Sequence, residues 1–192
     1  MESRTVAATG FTSPTVYVNG LPGARVAANQ WQHIAVVTDT AVDADSIILG
    51  RAASQYLAGF LDEVKVYPYA RTADQIKQDY AAGLAGQSSP QGASAAFGSR
   101  SDSWLTDGLV GYWKFDESAT TSGAFDSSGN GNEGTYYGNA STTAGKFGNG
   151  GVFDGSGDYV LTTPSLGANA GTVSIWANLA LNPSGETKYF YG

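Results

Sequence analysis

The chain has 192 residues, a formal net charge of -7 and no cysteine. That balance argues against nucleic acid and anionic membranes as partners, since both carry the same sign of charge, and it excludes disulfides and thiolate chemistry. Hydrophobic residues at 42%, charged residues at 14% and 26 glycines suit an all-β protein with many turns.

In chain order, residues 15–20 read as a strand entering an Asn-Gly turn. Residues 31–38 are apolar on both faces, as a central sandwich strand requires, and short strands follow at 46–50 and 60–67. Thr72 and Gln75 form a capping box. Ala73, Ile76 and Tyr80 then share one helical face, which predicts a helix ending near Ala82. Residues 83–103 are Gly, Ala, Ser, Gln and Pro with little else, the composition of a flexible linker. Structure is expected to resume near Trp104, with strands at 109–116, 134–138, 150–154, 157–163 and 171–179. Short strands at this spacing predict an antiparallel β-sandwich or jelly roll. No signal peptide or transmembrane run is visible, and both ends read as cut from a longer protein.

Five blocks carry a resemblance. Trp31-Gln32-His33-Ile34-Ala35-Val36-Val37 and Gly59-Phe60-Leu61-Asp62-Glu63-Val64-Lys65-Val66-Tyr67 stand in the first half. Gly108-Leu109-Val110-Gly111-Tyr112-Trp113-Lys114-Phe115-Asp116-Glu117, Asp126-Ser127-Ser128-Gly129-Asn130-Gly131-Asn132-Glu133-Gly134 and Val152-Phe153-Asp154-Gly155-Ser156-Gly157-Asp158-Tyr159-Val160 stand in the second. Together they resemble the laminin-G-like, concanavalin A-like lectin/glucanase jelly-roll family. In that family the first-half blocks come last, so the order here is permuted. The resemblance implies that residues 1–82 are the C-terminal half of such a sandwich and 109–192 the N-terminal half, with a linker at 83–108. Two readings follow: a junction of two tandem domains, or halves that dock in cis as a circularly permuted sandwich. Docking predicts that residues 110–116 pair antiparallel with 61–67.

The sharpest chemical signal is Asp126, Ser128, Asn130 and Asn132. Side-chain oxygens recur at every second position and a glycine follows the third, as in the first half of an EF-hand-type calcium loop. Its twelfth position is Tyr137 rather than Glu, so it is not an EF-hand. The competing reading is an Asx-rich turn without metal. Pairing of 61–67 with 110–116 would also bring Asp62-Glu63 beside Asp116-Glu117, where a cation between them, or divergence to opposite faces, would relieve like-charge repulsion. The resemblance implies calcium in this region, with Asp62 and Asp116 joining the loop as ligands.

Catalysis is not expected. Neighbouring strand residues point to opposite faces, so neither acidic pair alone makes a glycosidase dyad, and the E-x-D-x-E run of glucanase relatives is absent. His33, the only histidine, reads as a packed residue. Trp31, Trp113, Trp176, Phe115 and Phe153 read as core, while Tyr136, Tyr137, Tyr159 and Tyr189 read as partly exposed rings able to stack on sugars. By resemblance, the expected function is a carbohydrate or cell-surface polymer recognition or adhesion module of a larger extracellular, bacterial protein, with structural Ca²⁺ and neighbouring domains of the same polypeptide as partners. The alternatives are a ligand-free spacer and a truncated glycoside hydrolase.

Overall fold

The computed structural model describes residues 3–6, 8, 10–42, 44–86, 108–118, 123–167 and 169–180. The described strands are β1 (Ser3–Thr5), β2 (Thr15–Val18), β3 (Leu21–Pro22), β4 (Arg25–Ala27), β5 (Trp31–Val42), β6 (Ile47–Leu49), β7 (Arg51–Ala52), β8 (Gln55–Tyr56) and β9 (Ala58–Tyr67). The helix α1 (Ala73–Gly86) follows, then β10 (Gly111–Trp113), β11 (Thr135–Tyr137), β12 (Ser141–Ala144), β13 (Asn149–Asp154), β14 (Tyr159–Thr162) and β15 (Asn169–Leu179). The protein is an all-β antiparallel sandwich with one helix among the described residues.

The main sheet runs β12-β13-β9-β15-β5-β2-β3, with β10 added beside β9. Strands from before and after residues 87–107 therefore interleave in one sheet. β15 lies between β5 and β9, and β9 receives both β13 and β10 along its other edge. The expected pairing is found: Gly111 opposes Val66, Tyr112 opposes Lys65 and Trp113 opposes Val64, antiparallel. β10 is shorter than the predicted strand because Phe115 takes a left-handed backbone (φ 61) and turns the chain away.

One face of this sheet packs against the small sheet β11-β14-β6. Ile34, Val36, Leu61, Val64, Val66, Trp113, Phe115, Phe153, Val160 and Ile175 fill the space between them. The opposite face is covered by α1, where Ile76 packs on Ala35 and Val37, and Tyr80 packs near Trp176 and Phe147. Residues 31–37 thus bury both faces, as their pattern predicts. Trp176 is buried in this outer layer rather than in the main core, and Trp31 is only half-buried beside it.

Local chemistry explains the turns. Asn19 and Gly20 both have positive φ (51 and 77), the geometry an Asn-Gly hairpin needs between β2 and β3. The capping box forms: the Thr72 N–H donates to Gln75 Oε1 at 2.9 Å, and the Gln75 N–H donates to Thr72 Oγ1 at 3.3 Å. The helix runs to Gly86, one turn past the expected end. Gly83 lies against the Trp176 ring, where a Cβ would clash, so packing outweighs glycine's poor helix propensity there. The rest of the expected linker, Trp104 and Tyr189 lie outside the described residues.

Because strands from both sides share one sheet and one core, unfolding is expected to be a single cooperative transition. Far-UV circular dichroism and tryptophan fluorescence should give coincident curves; two separated transitions would contradict the shared core. Trp113 is fully buried, and Trp113→Ala is expected to cost about 3–5 kcal/mol in the same measurement.

Candidate functional site

The site begins at a defect in β9. Between Ser174 and Trp176 on β15, the partners on β9 step from Lys65 to Asp62, which leaves one extra residue on β9. Glu63 carries the bulge with φ 52. Leu61 and Val64 both enter the main core, so Asp62 and Glu63 both lie on the helix-covered side. This corrects the expectation that these neighbours diverge to opposite faces: a β-bulge breaks the alternation of side chains.

Asp62 is fully buried. Its Oδ2 accepts the Phe147 N–H at 2.8 Å, and its Oδ1 has no hydrogen-bond partner among the described residues. Burial, with Glu63 and Asp116 adding repulsion, pushes the carboxyl up to about 9. Glu63 is also raised by burial, against the pull of Lys65; it accepts a hydrogen bond from the Tyr112 hydroxyl. Lys146 is held below the ordinary lysine value by its own burial, and its ammonium sits 4.8 Å from the centre of the Trp176 ring.

Asp116 and Glu117 leave the sheet after the Phe115 turn. Asp116 Oδ1 accepts the Asn149 N–H at 3.0 Å. Glu117 Oε1 accepts the Phe125 N–H at 2.7 Å, and Oε2 accepts the Tyr136 hydroxyl at 3.4 Å. Lys114, Asp116, Glu117, Ser118, Phe125 and Ser127 line an open cavity of about 400 Å³. Phe125 is 51% exposed. Carboxylate and hydroxyl oxygens therefore stand beside an open aromatic face.

The Asp126 loop forms one flank of this cavity, and its side chains turn toward backbone. Asp126 Oδ1 accepts the N–H groups of Tyr112 and Ser128, both at 2.9 Å, and Oδ2 accepts that of Asn132 at 2.9 Å. These bonds hold Asp126 below the usual carboxylate range although its burial works the other way. Asn130 Nδ2 donates to Leu109 O at 2.7 Å, and Asn132 Nδ2 donates to Val110 O at 2.7 Å. The Ser128 hydroxyl donates to Val110 O at 3.4 Å. These hydrogen bonds make the loop a staple that fastens β10. Asp62 accepts the Phe147 N–H and Asp116 accepts the Asn149 N–H. Among the described residues no three His, Cys, Asp or Glu side chains converge as a metal centre would need.

Sequence reading missed one cluster. His33 Nε2 lies 2.8 Å from Ser174 Oγ, and Ser174 donates to Asp79 Oδ2 at 2.9 Å. These residues come from β5, β15 and α1, so nothing in the linear sequence joins them. Nucleophilic triads place serine and carboxylate on opposite nitrogens of the imidazole. Here the same nitrogen faces both, with Asp79 Oδ2 at 3.7 Å, and all three residues are at most 2% exposed. The cluster secures α1 to the sheet.

Compared with family models, with curated proteins and with solved structures, the chain matches none of them. Among the described residues no helix is long and apolar enough to cross a membrane.

Two outcomes follow from this geometry. Unfolded, Asp62 titrates near 3.8; folded, near 9. Folding therefore binds a proton between those values. The stability this carboxyl contributes is full below about pH 4 and is lost as pH rises toward 9. Asp62→Asn is expected to flatten that decline in urea melts run from pH 5 to 9, and an unchanged slope would contradict it. Asp126→Ala strands three N–H donors and should cost about 1–3 kcal/mol.

Proposed function

We propose that the chain is a non-catalytic recognition module of a larger extracellular protein, taking a carbohydrate or a sugar-based cell-surface polymer at the cavity beside Phe125. The observation that carries this reading is the pairing of an exposed phenyl ring with acidic and hydroxyl oxygens in one open cavity. Sugars present both surfaces: CH faces that pack on aromatic rings, and hydroxyls that donate to carboxylates. The volume of about 400 Å³ falls at the small end of ligand pockets, roughly 300–1,000 Å³, and suits a terminal or single sugar residue.

The cavity walls are fixed before any ligand arrives. Glu117 is held by Phe125 and Tyr136, Asp116 by Asn149, and the Glu117 carbonyl by the Thr142 hydroxyl at 2.7 Å. Preorganisation of this kind lowers the entropy cost of binding. Hydrolysis is not part of the proposal. Asp62 and Glu63 are enclosed, at 0% and 3% exposure, and Glu117 spends both oxygens on protein donors.

A glycan array probed with the labelled chain tests the proposal. Binding to a defined set of saccharides is expected, with Phe125→Ala weakening it about tenfold and Asp116→Asn by a similar factor. No binding by the parent chain, or binding untouched by both substitutions, would overturn it and favour the spacer reading.

A further inference from the structure

Three ionisable side chains that recognition does not use are enclosed together beneath α1. Lys65 Nζ lies 3.5 Å from Asp79 Oδ1 and 3.9 Å from Glu63 Oε2. The three side chains are at most 4% exposed. Lys65 projects from β9 toward the helix because the bulge sets its register opposite Ser174. The same bulge turns Glu63 onto that face. The Tyr112 ring lies 5.2 Å from the lysine nitrogen, and the Tyr112 hydroxyl fixes Glu63. Ser174, backed by His33, holds the second Asp79 oxygen.

We propose that Lys65 and Asp79 condense to an intramolecular isopeptide bond that locks α1 to the sheet. Lys65 Nζ, once it has given up a proton, attacks Asp79 Cγ. The C–N bond forms, the C–Oδ1 bond breaks, and Oδ1 leaves as water. Glu63 takes the proton from the attacking nitrogen and returns it to the departing oxygen. An ammonium and a carboxylate thereby become an amide and one water, with no oxidant, reductant or activated co-substrate. Negative charge in the intermediate gathers on Oδ2, where the Ser174 hydroxyl already donates at 2.9 Å.

The enclosure holds the reacting groups together. Contact held by the fold replaces a bimolecular encounter. Burial would raise the Asp79 carboxyl, but Lys65, His33 and Arg71 outweigh it and keep it ionised. The reactive form is the tautomer in which the lysine proton has crossed to Asp79; Glu63, 3.9 Å from the same nitrogen, must close on it to carry the later transfer. Condensation replaces two buried charges by a neutral amide, removing a desolvation cost that the ion pair bears. The covered site also keeps out the water that would reverse it.

Mass spectrometry of the intact, folded chain is expected to show one water less than the sequence mass. Digestion and fragmentation should yield a branched peptide joining Lys65 to Asp79. Lys65→Arg and Asp79→Ala should restore the sequence mass. Asp79→Asn should lose one ammonia instead, since the amide nitrogen becomes the leaving group. Glu63→Gln should keep a cooperative melt and stop the mass loss, which separates proton transfer from folding. A folded parent chain at full sequence mass after prolonged incubation overturns the proposal, as does a branch joining Lys65 to Glu63.

Discussion

The bulge at Asp62 and Glu63 sets the register of β9 and, through it, what each face of the main sheet buries. β9 is the strand where both parts of the chain meet, flanked by β15 on one edge and by β10 and β13 on the other. Before the bulge, Leu61 faces the main core; after it, Val64 and Val66 do. Without the extra residue, the register would invert on one side and carry a carboxylate into the sandwich. With it, two acids are delivered to the outer layer, where Phe147, Tyr112 and Lys65 receive them. The left-handed φ of Glu63 is the conformational cost, and the pairing on both edges of β9 holds it in place.

That delivery builds a layer of unusual composition. Beneath α1 the protein encloses Asp79, Lys65, Glu63 and His33 beside Trp176, Tyr67 and Tyr112. Buried charges are tolerated only when paired and hydrogen-bonded, and the pairings here are satisfied mainly by residues distant in sequence. A helix seated on such a layer gains direction more than affinity. Asp79 reaches Ser174, His33 and Lys65 in one seating, while Ile76 packs on Ala35 and Val37 and Tyr80 on Trp176. A shift by one turn would strand the carboxylate. Polar groups in this layer therefore specify where α1 sits, and the apolar contacts supply most of the attraction.

Much of the architecture was legible in the residues because it rests on local rules. The Asn19-Gly20 turn, the Thr72/Gln75 capping box and the two-faced apolar run at 31–37 each have one dominant structural solution. The bulge was not read, although it leaves a trace: the apolar positions Leu61, Val64 and Val66 are spaced by three and then two, where an unbroken strand keeps two throughout. The Asp126 loop shows a different limit. Alternating Asx and Ser side chains suit a cation or the backbone: Asp126 accepts N–H groups, and Asn130 and Asn132 turn their amide nitrogens to carbonyls. Which one they face depends on Tyr112 and Val110, whose backbone reaches the loop only after β10 has paired with β9. The Ser174–His33–Asp79 contact was beyond reach for the same reason, being made by three elements that meet only in the folded sheet.

The two ends of β10 give the molecule a division of labour. At its start, Leu109, Val110 and Tyr112 are fastened by the Asp126 loop, so the strand stays seated against β9 and the enclosed layer stays dry. At its end, Phe115 breaks the strand and throws Asp116 and Glu117 outward to the cavity beside Phe125. Rigid and open surfaces are thus adjacent within residues 109–117. If the cavity takes a ligand as proposed, a load on that ligand would enter at this end of β10, which is joined to β9 and through Lys65 to Asp79 on α1. A non-covalent path is as strong as its weakest exposed pair, whereas an amide between Lys65 and Asp79 would carry that load through covalent bonds. Under the proposed function, the enclosed acids fasten the sheet and helix that stand behind the cavity.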